Sequence, residues 1–438
     1  DADVARWLER MAGRGWTVPT WPREYGGAEL TPEQYLVLLE ELRRIDARSP
    51  LTGSLADSQC GGWWGVELKF AGWDGIMIEG RSATPVYLLI EDDNVQILPA
   101  DNLWGKTTGD VQDLLQATHS DKVRILQCGP AGENLVRFAM IGCDLRNFHG
   151  RGGLGAVMGS KKLRAVVVKG SQRKLKIADP DGLKQVRDWF KRGLKDHPAI
   201  TLHHELGTSK GVVPVSVVGM LPTYNFQDGS FSAAEQIGGE MMKKIIGLEP
   251  ETCYACAMAC KRRVEGESGK FKVTQKYGGP EYETIGLLGS NLGVDNIVAV
   301  AQCNETCNAL GLDTISSGGT ISWAIECFER GLLTEADTGG IQLKWNDPET
   351  YLELLHKIAR REGFGAILAE GSLGAAKHFG RGAEKYAMQA KGQEFPSHEP
   401  RGKWGVALGY AVSPTGADHL QAAHDPWFTK PGDASTEY

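Results

Sequence analysis

Three cysteines fall within eight positions in the run ETCYACAMACKRR: Cys253, Cys256 and Cys260. Their C-x2-C-x3-C spacing aims several thiolates at one point. A four-iron cube takes four ligands, and gaps of two and three residues let one turn wrap a corner of it while the last ligand arrives from elsewhere. No fourth ligand is evident beside the run. Zinc is a competing reading, although zinc sites commonly repeat the C-x2-C pair or add a histidine at a fixed distance, and neither follows here. Cysteines are also small residues that pack well, but three so close together in a chain with nine of them argue against chance. The spacing favours a metal cluster and leaves the other two readings open.

Three further stretches carry residue types suited to chemistry. HGRGGLGAVMGSKKLRAV, residues 149–166, sets Arg151 among glycines whose backbone N–H groups can face an anion such as a phosphate. GGPEYETIGLLGSNLG, residues 278–293, places Glu281 and Glu283 soon after the cysteine turn. PRGKWGVALGYAVSPTGADHLQAAHD brings Asp418, His419, His424 and Asp425 into one glycine-rich segment, and histidine is the usual proton carrier near neutral pH. Each has a plainer alternative: a tight turn with a surface arginine, solvated glutamates, and histidines that merely fill space.

The elements that must position these residues change character along the chain. Thr31-Pro32-Glu33-Gln34 opens the amphipathic run TPEQYLVLLEELRRI as a capping box, so the first segment reads as helical. A composition boundary falls near Ile45. From Leu51, glycine loops alternate with GIMIEG, PVYLLIE, VRILQCG and RAVVVKG, which predict short strands. Past Asp179 helical periodicity returns in GLKQVRDWFKRGL, EQIGGEMMKKIIG, IVAVAQCNETCNALG, TISWAIECFERG and TYLELLHKIARREG. A chain of 438 residues is long enough for two or three domains. Its formal net charge of −7 gives no basic surface for nucleic acid, and no segment approaches the ~18 apolar residues of a membrane span. With no basic leader at the N-terminus and an odd, clustered set of cysteines, the expected location is cytoplasmic.

From Ser49 onward the chain resembles the aldehyde:ferredoxin oxidoreductase family of tungsten or molybdenum bis-pterin enzymes. The segments that carry the resemblance are SPLTGSLADSQCGGWWGVELKFAGWDGIMIEG, GPAGENLVRFAMIG, GRGGLGAVMGSKKLRAV, CYACAMAC, GPEYETIGLLGSNLG, LGLDTISSGGTISWAIE, REGFGAILAEG and PRGKWGVALGYA, in family order over residues 49–425. The resemblance implies an α+β fold, with a β-rich pterin-binding domain over 46–175, a helical domain carrying the cysteine loop over 176–385, and the start of a further helical domain over 386–438. Residues 1–45 are similar instead to the N-terminal helical region of acyl-CoA dehydrogenases.

Carried over position by position, the resemblance implies that Cys253, Cys256 and Cys260 hold three corners of a 4Fe-4S cluster. It implies contacts to a tungsten (or molybdenum) bis-molybdopterin at Gln59, Gly61 and Gly62, at Asn147, Gly150 and Arg151, and at Gly311, Leu312, Asp313 and Thr314. Mg2+ is a candidate bridge between the pterin phosphates. Asn308 stands where the family has an aspartate, and can still accept a hydrogen bond from a pterin amine. RNFHGRGG replaces a more usual arginine-alanine-alanine form around Asn147. Glu283 matches a glutamate near the metal, and His419 its proton-transfer partner.

The family's fourth cluster cysteine and second pterin motif lie in a region with no counterpart before Tyr438. On this reading the chain is an oxidoreductase shortened at both ends and joined to a helical leader. Gln302 and Glu305 occupy the family's Glu-x-x-His positions, so a homo-oligomer stays open. The implied activity is oxidation of a small aldehyde to a carboxylic acid, with ferredoxin or another low-potential carrier as electron partner. The alternatives are an aromatic acyl-CoA reductase subunit of the same family, a non-catalytic fragment or electron-transfer module, and, from the leader, a flavoprotein dehydrogenase.

Overall fold

The computed structural model describes residues 49–53, 56–173, 177–196, 198–420 and 424. Between residues 86 and 169 six short runs pair into one mixed sheet: β1 (Val86–Glu91), β2 (Asn94–Pro99), β3 (Arg124–Cys128), β4 (Ile141–Cys143), β5 (Asn147–His149) and β6 (Leu163–Lys169), in the order β2-β1-β6-β3-β4-β5. Only β1 and β6 run parallel; the other neighbours are antiparallel. Strand β6 lies between β1 and β3, which is why LRAVVVK is buried in all but its last residue. Side chains alternate across it. Ala165 and Val167 pack with Val111 and Leu115 of α2 (Thr108–Thr118), while Val166 and Val168 pack with Leu68 of α1 (Trp64–Phe70) and Met158 of α3 (Leu154–Ser160). A register shift beside Val86 skips Arg164, so Leu163 joins the same face as Val166.

Arg164 is fully buried, and its Nε lies 2.8 Å from Glu133 Oε1. Its remaining donors reach Gln127 Oε1 and the Lys106 carbonyl. Burial raises the pKa of Glu133 against the pull of Arg164, as expected of a carboxylate taken out of water.

Beyond Pro180 the described elements are mainly helical, in keeping with the α+β expectation. The largest buried cluster centres on α4 (Tyr282–Leu288), α5 (Ile297–Leu310), α6 (Thr314–Glu329) and α7 (Pro348–Arg360). Asn296 caps α5 by accepting from Val298 N and Ala299 N, and Gly311 ends it at a φ of 80°. Helices α4 and α6 approach closely because Gly318 has no side chain: a Cβ there would lie 2.3 Å from the Leu287 carbonyl oxygen. Among the described residues no single helix is long and apolar enough to cross a membrane.

Two expectations differ from the structure. GIMIEG, residues 75–80, is not a strand; Met77 and Ile78 lie exposed there, and among the described residues no neighbouring edge supplies ladder bonds. EQIGGEMMKKIIG forms two short helices, Ala234–Ile237 and Gly239–Ile245, broken where Gly238 is extended. The expected leader helices before residue 46 lie outside the described residues, as does Asp425.

Arg164 stays charged at every accessible pH, so removing its partner leaves an uncompensated buried cation. Glu133→Ala is expected to lower the unfolding free energy in urea by about 3–5 kcal/mol. Glu349→Ala, at the exposed pair with Lys270, should change it by no more than about 1 kcal/mol. Equal effects would show that the buried pair carries no special weight.

Candidate active site

Strands β7 (Gly247–Glu251) and β8 (Lys261–Val264) form an antiparallel ribbon whose connection carries the three cysteines. Ala255 and Ala259, each next to a cysteine, take left-handed φ values of 53° and 47° and curl the chain. The Thr252 hydroxyl donates to the carbonyls of Cys253 and Cys256, and Cys256 N donates to the Cys253 carbonyl. The loop is seated on the sheet domain. Tyr254 N donates to the Gly62 carbonyl, Trp63 Nε1 donates to the Thr252 carbonyl, and Cys253 Sγ lies 3.7 Å from Asn147 Oδ1. Gly62 is required at this seat, because a Cβ there would lie 2.7 Å from Asn147 Nδ2 and its φ is +96°. Three thiols on one curled loop are a donor set that a thiolate-bound metal centre would use. Burial, with the Glu281 charge, pushes the Cys260 thiol up. A fourth thiol stands close by: Cys60 hydrogen-bonds with Cys143, which lowers its pKa against burial, with Lys261 adding to the lowering.

Beside the loop lies a cleft lined by Gly150 and Phe148 from the sheet domain, Asn308, Asp313 and Thr314 from the helical body, and Lys261 and Arg262 from β8. The Gly311-Leu312-Asp313 backbone is pinned to the sheet domain: Met140 N donates to the Gly311 carbonyl, Asp313 N donates to the Phe138 carbonyl, and Gly311 touches the backbone of Gly129. Leu312 is fully buried. Asp313 caps α6, its carboxylate accepting from Ile315 N and Ser316 N. Asn308 Nδ2 donates to the Tyr277 carbonyl, and the Thr314 hydroxyl meets that of Thr284 at 2.8 Å.

Arg151 is turned into the protein. Its guanidinium donates to the carbonyls of Ala417 and Glu394 and lies 3.4 Å from Asp313 Oδ2. Gln59 is exposed, and Gly61 approaches Cys253 Sγ so closely that a Cβ would lie at 3.0 Å. Asn147, Gly61 and Gly62 thus adjoin the cysteine loop, while Gly150, Asn308, Asp313 and Thr314 face the cleft. The lining is of mixed charge: Lys261 stands 3.6 Å from Glu281 and Arg146 pairs with Glu251, while Asn308, Thr284 and Thr314 add the amide and hydroxyls that a pterin would use. Gln302 and Glu305 bond within the chain, accepting from Lys272 N and Thr274 N.

Glu281, the N-cap of α4, and Thr284 of its first turn also line the cleft, and Glu283 on that turn heads a separate polar cluster. Ser397 N donates to Glu283 Oε2 at 2.7 Å. The approach is possible because α4 has glycine at 286, where a Cβ would lie 1.7 Å from Ser397 Oγ. Glu283 Oε1 lies 3.0 Å from His398 Nε2 and 3.9 Å from His419 Nε2, with no aligned hydrogen bond to either. Such contacts commonly tighten once substrate arrives. Burial works against the charge on Glu283, but His419, His398 and the Ser397 N–H outweigh it and hold the carboxyl well below the usual carboxylate range. The Tyr282 ring stacks on His398 at 5.4 Å, and its hydroxyl donates to the Ser397 carbonyl. Burial pushes the Tyr282 phenol far up, so it stays neutral.

Glu283 and His419, singled out from sequence, therefore sit together. His398 and Lys403 were missed. Both belong to SHEPRGK, which overlaps a segment already marked by PRGKWG, and a histidine beside that match was the available signal.

Comparison with known proteins bears on this arrangement. Residues 185–436 match the family model described as "Aldehyde ferredoxin oxidoreductase, domains 2 & 3", and residues 43–170 match "Aldehyde ferredoxin oxidoreductase, N-terminal domain". Residues 2–65 match "Acyl-CoA dehydrogenase, N-terminal domain". The chain is 41% identical over 382 residues to the tungsten-containing aldehyde ferredoxin oxidoreductase of Pyrococcus abyssi, a match covering 86% of this chain and 62% of that protein. It is 32% identical over 409 residues to the aliphatic sulfonate oxidoreductase, WOR-like subunit, of Pyrococcus furiosus, covering 87% of this chain and 64% of that protein. Among solved structures, the active site complex BamBC of benzoyl coenzyme A reductase with 1,5 dienoyl-CoA superposes with a TM-score of 0.69 and 27% identity, over 84% of this chain and 57% of that one.

The depressed Glu283 pKa has a definite consequence for stability. The contribution from its ionisation is complete above the unfolded value of about 4.3 and is lost as pH falls through the folded value. Measured by urea unfolding, the stability of the protein relative to Glu283→Gln is expected to be level near neutrality and to decline below about pH 4. A relative stability that rises on acidification would contradict the assignment.

Proposed function

Since the chain belongs to the aldehyde ferredoxin oxidoreductase family, we propose that it oxidises an aldehyde to a carboxylic acid at the cleft beside Glu283 and passes the electrons to ferredoxin or another low-potential carrier. The observation that carries this reading is the partly buried Glu283, held ionised and facing His419, on the helix turn that also lines the cleft. The chain spans 62% of the length of its Pyrococcus abyssi relative, so the activity is proposed for the protein to which these residues contribute.

A tungsten or molybdenum bis-pterin supplies the two-electron oxidation when bound, and a 4Fe-4S cluster supplies the one-electron exits. Gly150, Asn308 and Thr314 would hold the pterin side, and Cys253, Cys256 and Cys260 three corners of the cluster. The hydrogen bonds of Tyr254 N to the Gly62 carbonyl and of Trp63 Nε1 to the Thr252 carbonyl set the cluster loop against the sheet domain. Glu283 removes a proton from the water that becomes the new acid oxygen, and His419 receives that proton for transfer to solvent. Conversion of aldehyde and water to acid releases two electrons and two protons, so a standing base with an exit path is required on each turnover. Arg151 orients this machinery by bracing Asp313 and the Ala417 carbonyl, two residues from His419.

A second reading, reduction of an aromatic acyl-CoA, is favoured by one observation, the likeness to the benzoyl coenzyme A reductase complex. Competition between an aldehyde and an aromatic CoA ester in a dye-linked assay separates the two.

Glu283→Gln and His419→Ala are each expected to reduce aldehyde-dependent viologen reduction by about 10²–10⁴, with metal content unchanged. Near-normal turnover in both variants would remove these residues from the reaction. Cys256→Ser, at the exposed corner of the loop, should lower iron content and alter the cluster's EPR signal with little effect on folding.

A further inference from the structure

The cysteine loop and the cleft share one wall. Arg146, Glu251 and Lys261 line both the cleft and a second cavity, which Trp63, Asn147 and Thr252 bound beside the loop. Within that wall Arg146 is fully engaged, donating to Glu251 and to the carbonyls of Gln275 and Lys276. Lys261 is held more loosely. Its ammonium stands 3.6 Å from Glu281 Oε1, longer than a hydrogen bond, and the other oxygen of Glu281 accepts from the Thr208 hydroxyl. Lys261 directly follows Cys260, and the charges of Cys253, Cys260 and Cys60 all act on its ammonium. Arg262, next along β8, is spent on the backbone, where it donates to the carbonyls of Glu205 and Ala259.

Resting on the assignment of a cluster to this loop, we propose that Lys261 is the cation that sets the reduction potential of that cluster, with Glu281 as its counterweight at the head of the helix that bears Glu283. Taking up one electron adds one negative charge to the centre. A fixed cation beside the thiolates stabilises the reduced form and raises the potential, and a fixed anion lowers it. Lysine carries its charge throughout the neutral range, so the effect needs no change of protonation. The wall is only partly open to water, so salt screens it less than it would a surface pair. A raised potential makes the cluster the better acceptor of electrons from the cleft. Lys261 is a positioning residue: it acts through the field at the cluster and transfers no proton.

The test reads that field as a potential. The full chain is loaded with iron and sulfide without oxygen, and the EPR signal of the reduced cluster is followed in a dithionite titration against mediator dyes at one pH. Lys261→Met is expected to lower the midpoint potential, Lys261→Arg to leave it near that of the unaltered protein, and Glu281→Gln to raise it. Iron content is expected to stay the same in all three, because no ligand is removed. A Lys261→Met cluster whose midpoint is unchanged or higher would overturn the proposal. So would shifts of the same sign in Lys261→Met and Glu281→Gln, which mark a merely structural disturbance. If Lys261→Met does not fold or takes up no iron, Glu281→Gln decides alone: a rise supports the pairing of cation and counterweight, and an unchanged or lower potential overturns it. Failure of the unaltered protein to take up iron would instead remove the cluster assignment, and the proposal with it, so the two failures are told apart.

Discussion

A carboxylate drawn largely out of water and kept ionised is the constraint around which the candidate site is arranged. Burial alone would drive Glu283 to its neutral form. The opposing contributions come from elements far apart in sequence: the first turn of α4, the Ser397 N–H, and two imidazoles on the segment that follows. They converge because Gly286 lets the Ser397 segment lie against α4 and Gly318 lets α6 pack behind it. A methyl group at Gly286 would push away the Ser397 segment on which the carboxylate depends.

Arg151 plays a corresponding role at the seam between the sheet domain and the helical body. Its guanidinium ties the cap of α6 to the carbonyls of Glu394 and Ala417, so the loop after β5, the Gly311-Leu312-Asp313 turn and the histidine-bearing segment are held as one piece. The cysteine loop is joined to the sheet domain through the hydrogen bonds of Tyr254 N to the Gly62 carbonyl and of Trp63 Nε1 to the Thr252 carbonyl. A cleft assembled in this way gains its shape from backbone contacts between domains, such as that of Gly129 with Gly311, more than from any single side chain.

The thiol spacing, the long periodic helices and the central strand RAVVVKG were legible in the sequence because each depends on local order: ligand spacing, a 3.6-residue stripe, or an uninterrupted β-branched run. GIMIEG was not, since a β-like composition becomes a strand only where an edge is available to pair with. The site was legible in part. Glu283 and His419 stood out through their motifs, but His398 and Lys403 take their meaning from a contact between a histidine and a lysine whose burial only the fold supplies. Asp313 and Arg151, conspicuous in sequence as polar residues of glycine-rich motifs, direct their charged groups at protein neighbours. Sequence marks such residues without revealing which way they face.

The central claim, that these residues form the core of a pterin and iron–sulfur oxidoreductase, is tested most directly by elemental analysis. The protein would be purified without oxygen from cells that make the pterin cofactor and analysed for tungsten, molybdenum, iron and zinc. The account predicts iron at about three to four atoms per chain together with tungsten or molybdenum. Zinc alone, or no metal bound in stoichiometric amount, would contradict it.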